Sequence, residues 1–171
     1  MPTAGEIDIA GTNLRTLKPS ELIDFRLNNI GFVFQSYNLI PVLTAKENVE
    51  FIMTLQKWAK QDRDTRTFEL LKSVGLYERM NSRPSKMSGG QQQRIAVARA
   101  LASRPKFVLA DEPTANLDSK SATTLLEIME KLNHEEKITF IFSTHDARVV
   151  KMAHRVITLE DGKVFSDEMR E

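Results

Sequence analysis

The sequence has 171 residues, of which 41% are hydrophobic and 27% charged, and 24 basic side chains balance 23 acidic ones. This length and composition favour one domain with an ordinary core, and the near-neutral charge argues against a nucleic-acid-binding protein, which would carry a basic excess. The absence of cysteine excludes disulfides, thiolate nucleophiles and cysteine-ligated metal sites. No apolar run approaches the ~18 residues that cross a bilayer, and the first residues do not resemble a signal peptide. We therefore expect a cytoplasmic chain.

The first part of the chain is predicted to contain a strand, a helix and a second strand. Apolar and polar residues alternate over 5–11, as is expected of a short strand. A helix is predicted over 20–27, with Ser20 as its N-cap. Residues 30–34 form an apolar run that ends at Gln35, which is typical of a buried strand.

Residues 36–86 differ in character from the rest of the chain. They are predicted to form a loop, a helix over 46–60, a second helix over 62–74 and a polar stretch that ends near residue 86. This pattern indicates an all-helical insert.

The second half of the chain alternates between helices and apolar strands. Near-continuous apolar strands separated by helices are typical of a parallel sheet that is covered on both faces. The predicted fold class is therefore α/β, with a core formed by 1–35 and 87–171 around the helical insert. Helices are predicted over 90–103, 121–134 and 146–152, and strands over 107–110, 138–142 and 156–159, followed by a hairpin turn at 160–163.

Polar residues follow three of these strands directly. They are Gln35, the pair Asp111 and Glu112, and the segment that ends in His145. Each residue alone has an ordinary structural explanation, but ligands of parallel sheets bind at the carboxyl ends of strands. Four apolar residues followed by Asp-Glu match the Walker B pattern. There one carboxylate holds Mg²⁺ through water, and a second polarises an attacking water.

A glycine pair precedes the helix predicted over 90–103. Ser88 is a suitable N-cap, and Gly89 and Gly90 allow a phosphate to approach the backbone closely. The positive end of the following helix favours an anion at the same place. A plain capped helix after a glycine turn is the alternative explanation of this segment.

Together these segments resemble the ATP-binding domain of ABC transporters. The motifs occur in the order of that family, and Gln35 and Ser88 are 53 positions apart, as in a transporter ATPase. Residues 34–41, 112–118 and 143–146 resemble the branch that contains lipoprotein-releasing, macrolide-export and FtsE-like ATPases. The matching residues are Gln35 (Q-loop), Met87 to Gln91 (signature), Phe107 to Glu112 (Walker B), Asn116 to Asp118 (D-loop) and His145 (switch histidine).

The resemblance implies a P-loop NTPase-like α/β fold and the roles of individual residues. It implies that Glu112 polarises water and that His145 contacts the γ-phosphate of ATP. It also implies that Gln35 and Asp111 bind nucleotide and serve the Mg²⁺, Asp111 through water.

A second ABC ATPase domain is the first partner that the resemblance implies. Two copies would pair head to tail, so that each nucleotide lies between Walker A and B of one copy and the signature of the other. Two-fold pairing is the ordinary geometry of such a dimer. The residues that would reach the partner's nucleotide are Ser88, Gly90 and Gln91, and Gly89 and Asp118 are also expected to bind nucleotide.

A transmembrane permease is the second implied partner, which would place the chain on the inner face of the cell membrane. The permease is expected to dock at the start of the insert, near Tyr37, Leu39, Pro41 and Leu43. The alternative is that these four side chains fill the core of the insert.

The Walker A motif, G-x-x-x-x-G-K-[ST], is the family feature that these 171 residues lack. We expect either a sequence that begins after this motif or a degenerate remnant, and in both cases little ATPase activity from this chain alone. The family strand that leads into Walker A would be missing too. A gap, or an unusual direct pairing, is therefore expected between 138–142 and 156–159.

Two other functions remain open at this point. A non-transport ABC ATPase of chromosome maintenance usually separates the Q-loop from the signature by a long coiled coil, which the 53-position spacing argues against. A non-catalytic ABC-like binding module is compatible with the absent Walker A motif.

Overall fold

A computed structural model of the chain describes residues 4–170. The α-helices in this part are α1 (Pro19–Asn29), α2 (Ala45–Leu55), α3 (Lys60–Ser73), α4 (Gly89–Ala102), α5 (Ser119–Glu136) and α6 (Ala147–Met152). The strands are β1 (Asp8–Ile9), β2 (Thr12–Asn13), β3 (Ile30–Val33), β4 (Phe107–Asp111), β5 (Thr139–Ser143), β6 (Arg155–Glu160) and β7 (Lys163–Met169).

The central sheet is parallel and has the order β3–β4–β5. Helix α4 packs closely on one face of this sheet, where Val33, Val108 and Ala110 are buried. The approach is close because Gly31 has no side chain: a Cβ there would lie 2.4 Å from the carbonyl oxygen of Ala100 on α4. Gly31 therefore allows tight packing of α4 on the sheet.

The predicted gap in the sheet is confirmed. Within residues 4–170, β5 pairs only with β4, whereas β6 pairs only with β7 in a separate antiparallel sheet. The prediction that both faces of the parallel sheet are covered is wrong for this part of the chain. On the face opposite α4, Phe32, Phe34 and Ile141 are 36%, 38% and 49% exposed around an apolar hollow of about 320 Å³.

Two predictions near the start of the chain are also wrong. Residues 5–11 do not form one strand, because Ala10 and Gly11 have φ values of 51° and 77° and turn the chain back between β1 and β2. Ser20 is not the N-cap of the first helix. That helix begins one residue earlier, at Pro19, and the Glu21 carboxylate accepts a 2.7 Å hydrogen bond from the backbone N–H of Lys18.

The insert forms two helices that end earlier than predicted. Helix α2 is capped reciprocally by Thr44 and Glu47, and it ends at Leu55 rather than residue 60 because Lys57 adopts a φ of 60°. Its apolar face joins one continuous core with α3, α4 and α5. The largest fully buried side chains of that core include Met53, Leu70, Leu71, Ile95, Leu101, Leu125 and Met129.

No helix among residues 4–170 combines the length and the apolar character that a membrane-spanning helix needs.

Candidate functional site

Glu112 stands directly after β4 and its carboxylate is held from two sides. One oxygen, Oε1, lies 2.6 Å from Nδ1 of His145, and the other accepts a 3.1 Å hydrogen bond from the Thr144 hydroxyl. The backbone N–H of Glu112 donates to the carbonyl of Ser143 at 2.9 Å. The Glu112 side chain is 23% exposed and that of His145 is 88% exposed. The pair is therefore ordered by the protein yet open to solvent on the histidine side.

The loop that carries His145 is anchored to the loop that follows β4. The Thr114 hydroxyl donates a 2.6 Å hydrogen bond to Asp146, whose carboxylate also caps α6 and accepts from Arg148. Hydrogen bonds from Arg148, and then from Thr114, hold the pKa of Asp146 well below its usual range. Asp146 therefore stays ionised at physiological pH, so the anchor persists beside the Glu112–His145 pair.

Asp111 and Gln35 occupy neighbouring strand ends, as the sequence predicts. Asp111 is the last residue of β4, opposite Ser143 of β5, and Gln35 follows β3 on the other side. Both residues are exposed. In residues 4–170, no three His, Cys, Asp or Glu side chains converge as a metal cage. Asp111 and Gln35 offer few ligands, which fits a Mg²⁺ whose other ligands are phosphate oxygens and water. Proteins usually bind this ion in that way.

The Ser-Gly-Gly segment forms the N-terminus of α4. Ser88 Oγ accepts from the backbone N–H of Gln91 at 3.3 Å, and the Gln91 side chain accepts from the Ser88 N–H at 3.0 Å. This reciprocal bonding is a capping box. A Cβ at Gly90 would lie 3.0 Å from Ser121, so Gly90 is close to the start of α5. A polar hollow of about 180 Å³ opens here, lined by Ser88, Gly90, Arg94, Lys120, Ser121 and Thr124.

Asp118 has a structural task in the folded chain. It is the N-cap of α5, and its carboxylate accepts from the Ser121 N–H at 3.0 Å and from the Ser121 hydroxyl at 2.6 Å. These hydrogen bonds lower the pKa of Asp118. Asp118 thus positions Ser121, which lines the hollow beside Gly90.

The predicted site residues therefore form two groups. Glu112 and His145 are in direct contact at the carboxyl end of the sheet, where Asp111 and Gln35 also lie. Ser88, Gly89, Gly90, Gln91 and Asp118 lie instead at the paired N-termini of α4 and α5.

Gln93 is fully buried on α4 and was not among the predicted site residues. Its side-chain Nε2 donates to the carbonyls of Phe34 at 3.3 Å and Pro113 at 2.8 Å, so it links the ends of β3 and β4. A signal was present: Gln93 lies three and seven positions before Ala96 and Ala100, on the same helix face. A polar residue on a buried helix face requires hydrogen-bond partners.

Comparison with protein families and curated proteins gives a consistent result. A family model described as ABC transporter matches residues 1–115. The ABC transporter ATP-binding protein MJ0796 of Methanocaldococcus jannaschii is 44% identical over an alignment of 171 positions, which covers 98% of this chain and 73% of that protein. The macrolide export ATP-binding/permease protein MacB of Rhodopirellula baltica is 45% identical over 97% of this chain and 25% of its own length.

Two solved structures of the ATP-binding cassette MJ0796 resemble this chain. A dimeric structure of MJ0796 in a post-hydrolysis state, bound to ADP and Pi, superposes with a TM-score of 0.86 at 42% identity. The alignment covers 98% of this chain and 74% of that one. A second structure, described as the dimeric structure of MJ0796, a bacterial ABC transporter cassette, matches equally well.

Proposed function

This chain belongs to the ABC transporter family of ATP-binding proteins, and from that premise we propose that it binds and hydrolyses ATP to power a separate membrane subunit. The single observation that carries the catalytic part is the ordered carboxylate of Glu112, 2.6 Å from His145 at the carboxyl end of β4. A carboxylate held there can orient and polarise an attacking water, and the exposed His145 would contact the γ-phosphate.

The nucleotide would be bound by residues at the same edge of the sheet. Gln35 and Asp111 would hold Mg²⁺, Asp111 through water, and the bound ion would neutralise charge on the phosphate oxygens. The protein's own contribution is position, because most phosphoryl-transfer catalysis comes from orientation and electrostatic stabilisation.

We propose that a second copy completes the site, head to tail. Ser88, Gly90 and Gln91 lie at a helix N-terminus beside a polar hollow, which suits the phosphates of the partner's nucleotide. The dimeric form of the solved MJ0796 structures supports this proposal.

The membrane subunit would bind at residues 36–60, the start of the helical insert 36–86. In this stretch Pro41 and Val42 are exposed, whereas Leu39 packs partly against the core and so contributes to the insert as well. The similarity to MacB, whose name joins ATP-binding and permease, supports an exporter or a lipoprotein-releasing system at the inner face of the cell membrane. This surface is tested by measuring permease binding of the variants Tyr37→Ala and Leu43→Ala. We expect binding to weaken while the fold stays intact, and unchanged binding would contradict the proposal.

The catalytic proposal is tested by Glu112→Gln in the ATPase assembled with its membrane subunit. The amide keeps the shape but loses the charge, so we expect turnover to fall by about a hundredfold or more while ATP still binds. Glu127→Gln, the same change at an exposed position on α5, is the control and should leave turnover intact. Near-normal turnover by Glu112→Gln would assign the catalytic role to another group.

One observation favours a second candidate, a non-catalytic ABC-like binding module. The 171 residues contain no G-x-x-x-x-G-K-[ST] segment to cradle phosphates. We therefore expect the 171-residue chain by itself to bind Mg-ATP weakly and not to turn it over. Phosphate release clearly above a matched blank, from pure protein, would refute this expectation.

A further inference from the structure

We propose that Arg99 and Asn116 are positioning residues that hold the loop carrying Gln35 in the conformation it needs to serve the nucleotide. This inference rests on the proposed function of Gln35. It concerns two side chains that reach this loop from different elements, α4 and the segment before α5. Asn116 belongs to the D-loop match, but neither side chain was predicted to bind nucleotide.

The loop after β3 has an unusual backbone. Tyr37 and Asn38 have φ values of 61° and 47°, which places two consecutive non-glycine residues in the left-handed region. An aromatic residue rarely adopts this conformation, and strained backbone persists only where its surroundings enforce it. The loop therefore requires partners that compensate for its strain.

Arg99 is the first such partner. Its guanidinium donates to the carbonyl of Asn38 at 2.5 Å and to that of Tyr37 at 3.0 Å. A planar guanidinium can bind two adjacent carbonyls from one fixed fork, whereas a lysine ammonium acts as a single point charge. Arg99 thus holds both left-handed residues at once.

Asn116 is the second partner. Its side-chain amide donates to the carbonyl of Gln35 at 3.0 Å, and its own carbonyl lies 3.4 Å from the Tyr37 hydroxyl. Asn116 stands between Glu112 and Asp118 in the chain. It therefore ties Gln35 directly to the segment that joins the two groups of site residues.

Helix α4 holds this loop along its length. A Cβ at Gly89, the first residue of α4, would lie 2.7 Å from the Tyr37 hydroxyl. Further along, Gln93 donates to Phe34 and Arg99 donates to Tyr37 and Asn38. Because these contacts all come from one helix, a shift of α4 would carry Gln35 with it.

The test uses the full chain with Arg99→Lys and Asn116→Asp, and as matched controls Arg79→Lys and Asn81→Asp at exposed positions. Amide hydrogen exchange is measured at Tyr37 and Asn38, whose N–H groups bond within the loop. We expect exchange there to accelerate about tenfold in the two test variants, as for the loss of one hydrogen bond. Exchange in β4 should stay unchanged, and both controls should match the wild type.

Two outcomes of the exchange experiment would overturn the proposal. One is unchanged exchange at Tyr37 and Asn38 in both test variants. The other is acceleration that extends equally through α4 and β4, which would assign Arg99 and Asn116 to general stability rather than to the loop.

A second readout addresses Gln35 itself. Binding of a fluorescent ATP analogue is compared with Mg²⁺ and with EDTA, and both test variants should lose the part of the affinity that depends on Mg²⁺ while binding in EDTA is unchanged. Equal Mg²⁺ dependence in variant and wild type would contradict the proposal. A wild-type chain that binds no nucleotide would favour the non-catalytic candidate, whereas the exchange experiment would still decide the role of Arg99 and Asn116.

Discussion

Replacing Gly31 with alanine tests the contact between the sheet and α4. The added Cβ would lie 2.4 Å from the carbonyl oxygen of Ala100 and 2.9 Å from Cγ2 of Val108. Ordinary van der Waals contact begins at 3.4 Å, so the helix would have to move by about 1 Å. The nearer obstacle is backbone, which cannot change rotamer to make room.

Overpacking of this kind costs about 1–3 kcal/mol of folding free energy. For a chain of this size that corresponds to a fall in Tm of about 3–10 °C. We expect the upper half of the range, because moving α4 also lengthens the 3.3 Å hydrogen bond between Gln93 and Phe34. Urea unfolding followed by circular dichroism, with Tm from calorimetry, measures the loss.

The double variant Gly31→Ala/Val108→Ala separates the two obstacles. Val108→Ala removes the side-chain clash but leaves the Ala100 carbonyl in place, so it should not restore stability to Gly31→Ala. A double variant as stable as Val108→Ala alone would refute the reasoning, because it would show that the side chain and not the helix backbone sets the spacing.

Two further predictions concern acid stability and association. Arg66 donates to Glu136 at 2.7 Å and 2.9 Å and thereby lowers the pKa of that carboxyl. The stability from this pair is present above about pH 4.3, the ordinary glutamate value, and is lost as pH falls through the lowered pKa. Glu136→Gln should therefore be less stable than wild type at neutral pH, with a urea-midpoint difference that shrinks in acid; a difference independent of pH would contradict this. The unpaired side of β5 and the exposed sheet face around Phe32 should make the isolated 171-residue chain associate, which a monodisperse, cooperatively melting sample in light scattering and calorimetry would refute.

The elements best predicted from sequence are those with strong local signals. Helix α4 was predicted over 90–103 and spans Gly89–Ala102, because Ser88 caps it and buried alanines follow. The places of Glu112 and His145 after apolar strands were predicted, but their direct contact was not, because it depends on the pairing of β4 with β5. The Thr144 hydrogen bond to Glu112 was not predicted, because it depends on a hydroxyl rotamer that no spacing reveals.

Other features depend on contacts distant in sequence. Helix α2 ends at Leu55 because the backbone at Lys57 is left-handed. Lysine is a common helix residue, so the sequence does not predict a helix end there. The hydrogen bonds from Arg99 to Tyr37 and Asn38 join residues about sixty positions apart in the chain. The local pattern around Arg99 indicates only a helical residue at the edge of the core.

Ser88 has two separate roles: its hydroxyl oxygen caps α4, and its hydroxyl proton can be donated to an anion. In the cap the Ser88 hydroxyl only accepts a hydrogen bond, from the Gln91 N–H, so its proton stays free for an anion. Aspartate is an equally good N-cap, but it has no proton to give and carries a negative charge. If a second copy completes the site as proposed, Ser88→Asp should therefore yield a chain that folds as well as wild type but repels the nucleotide of that copy.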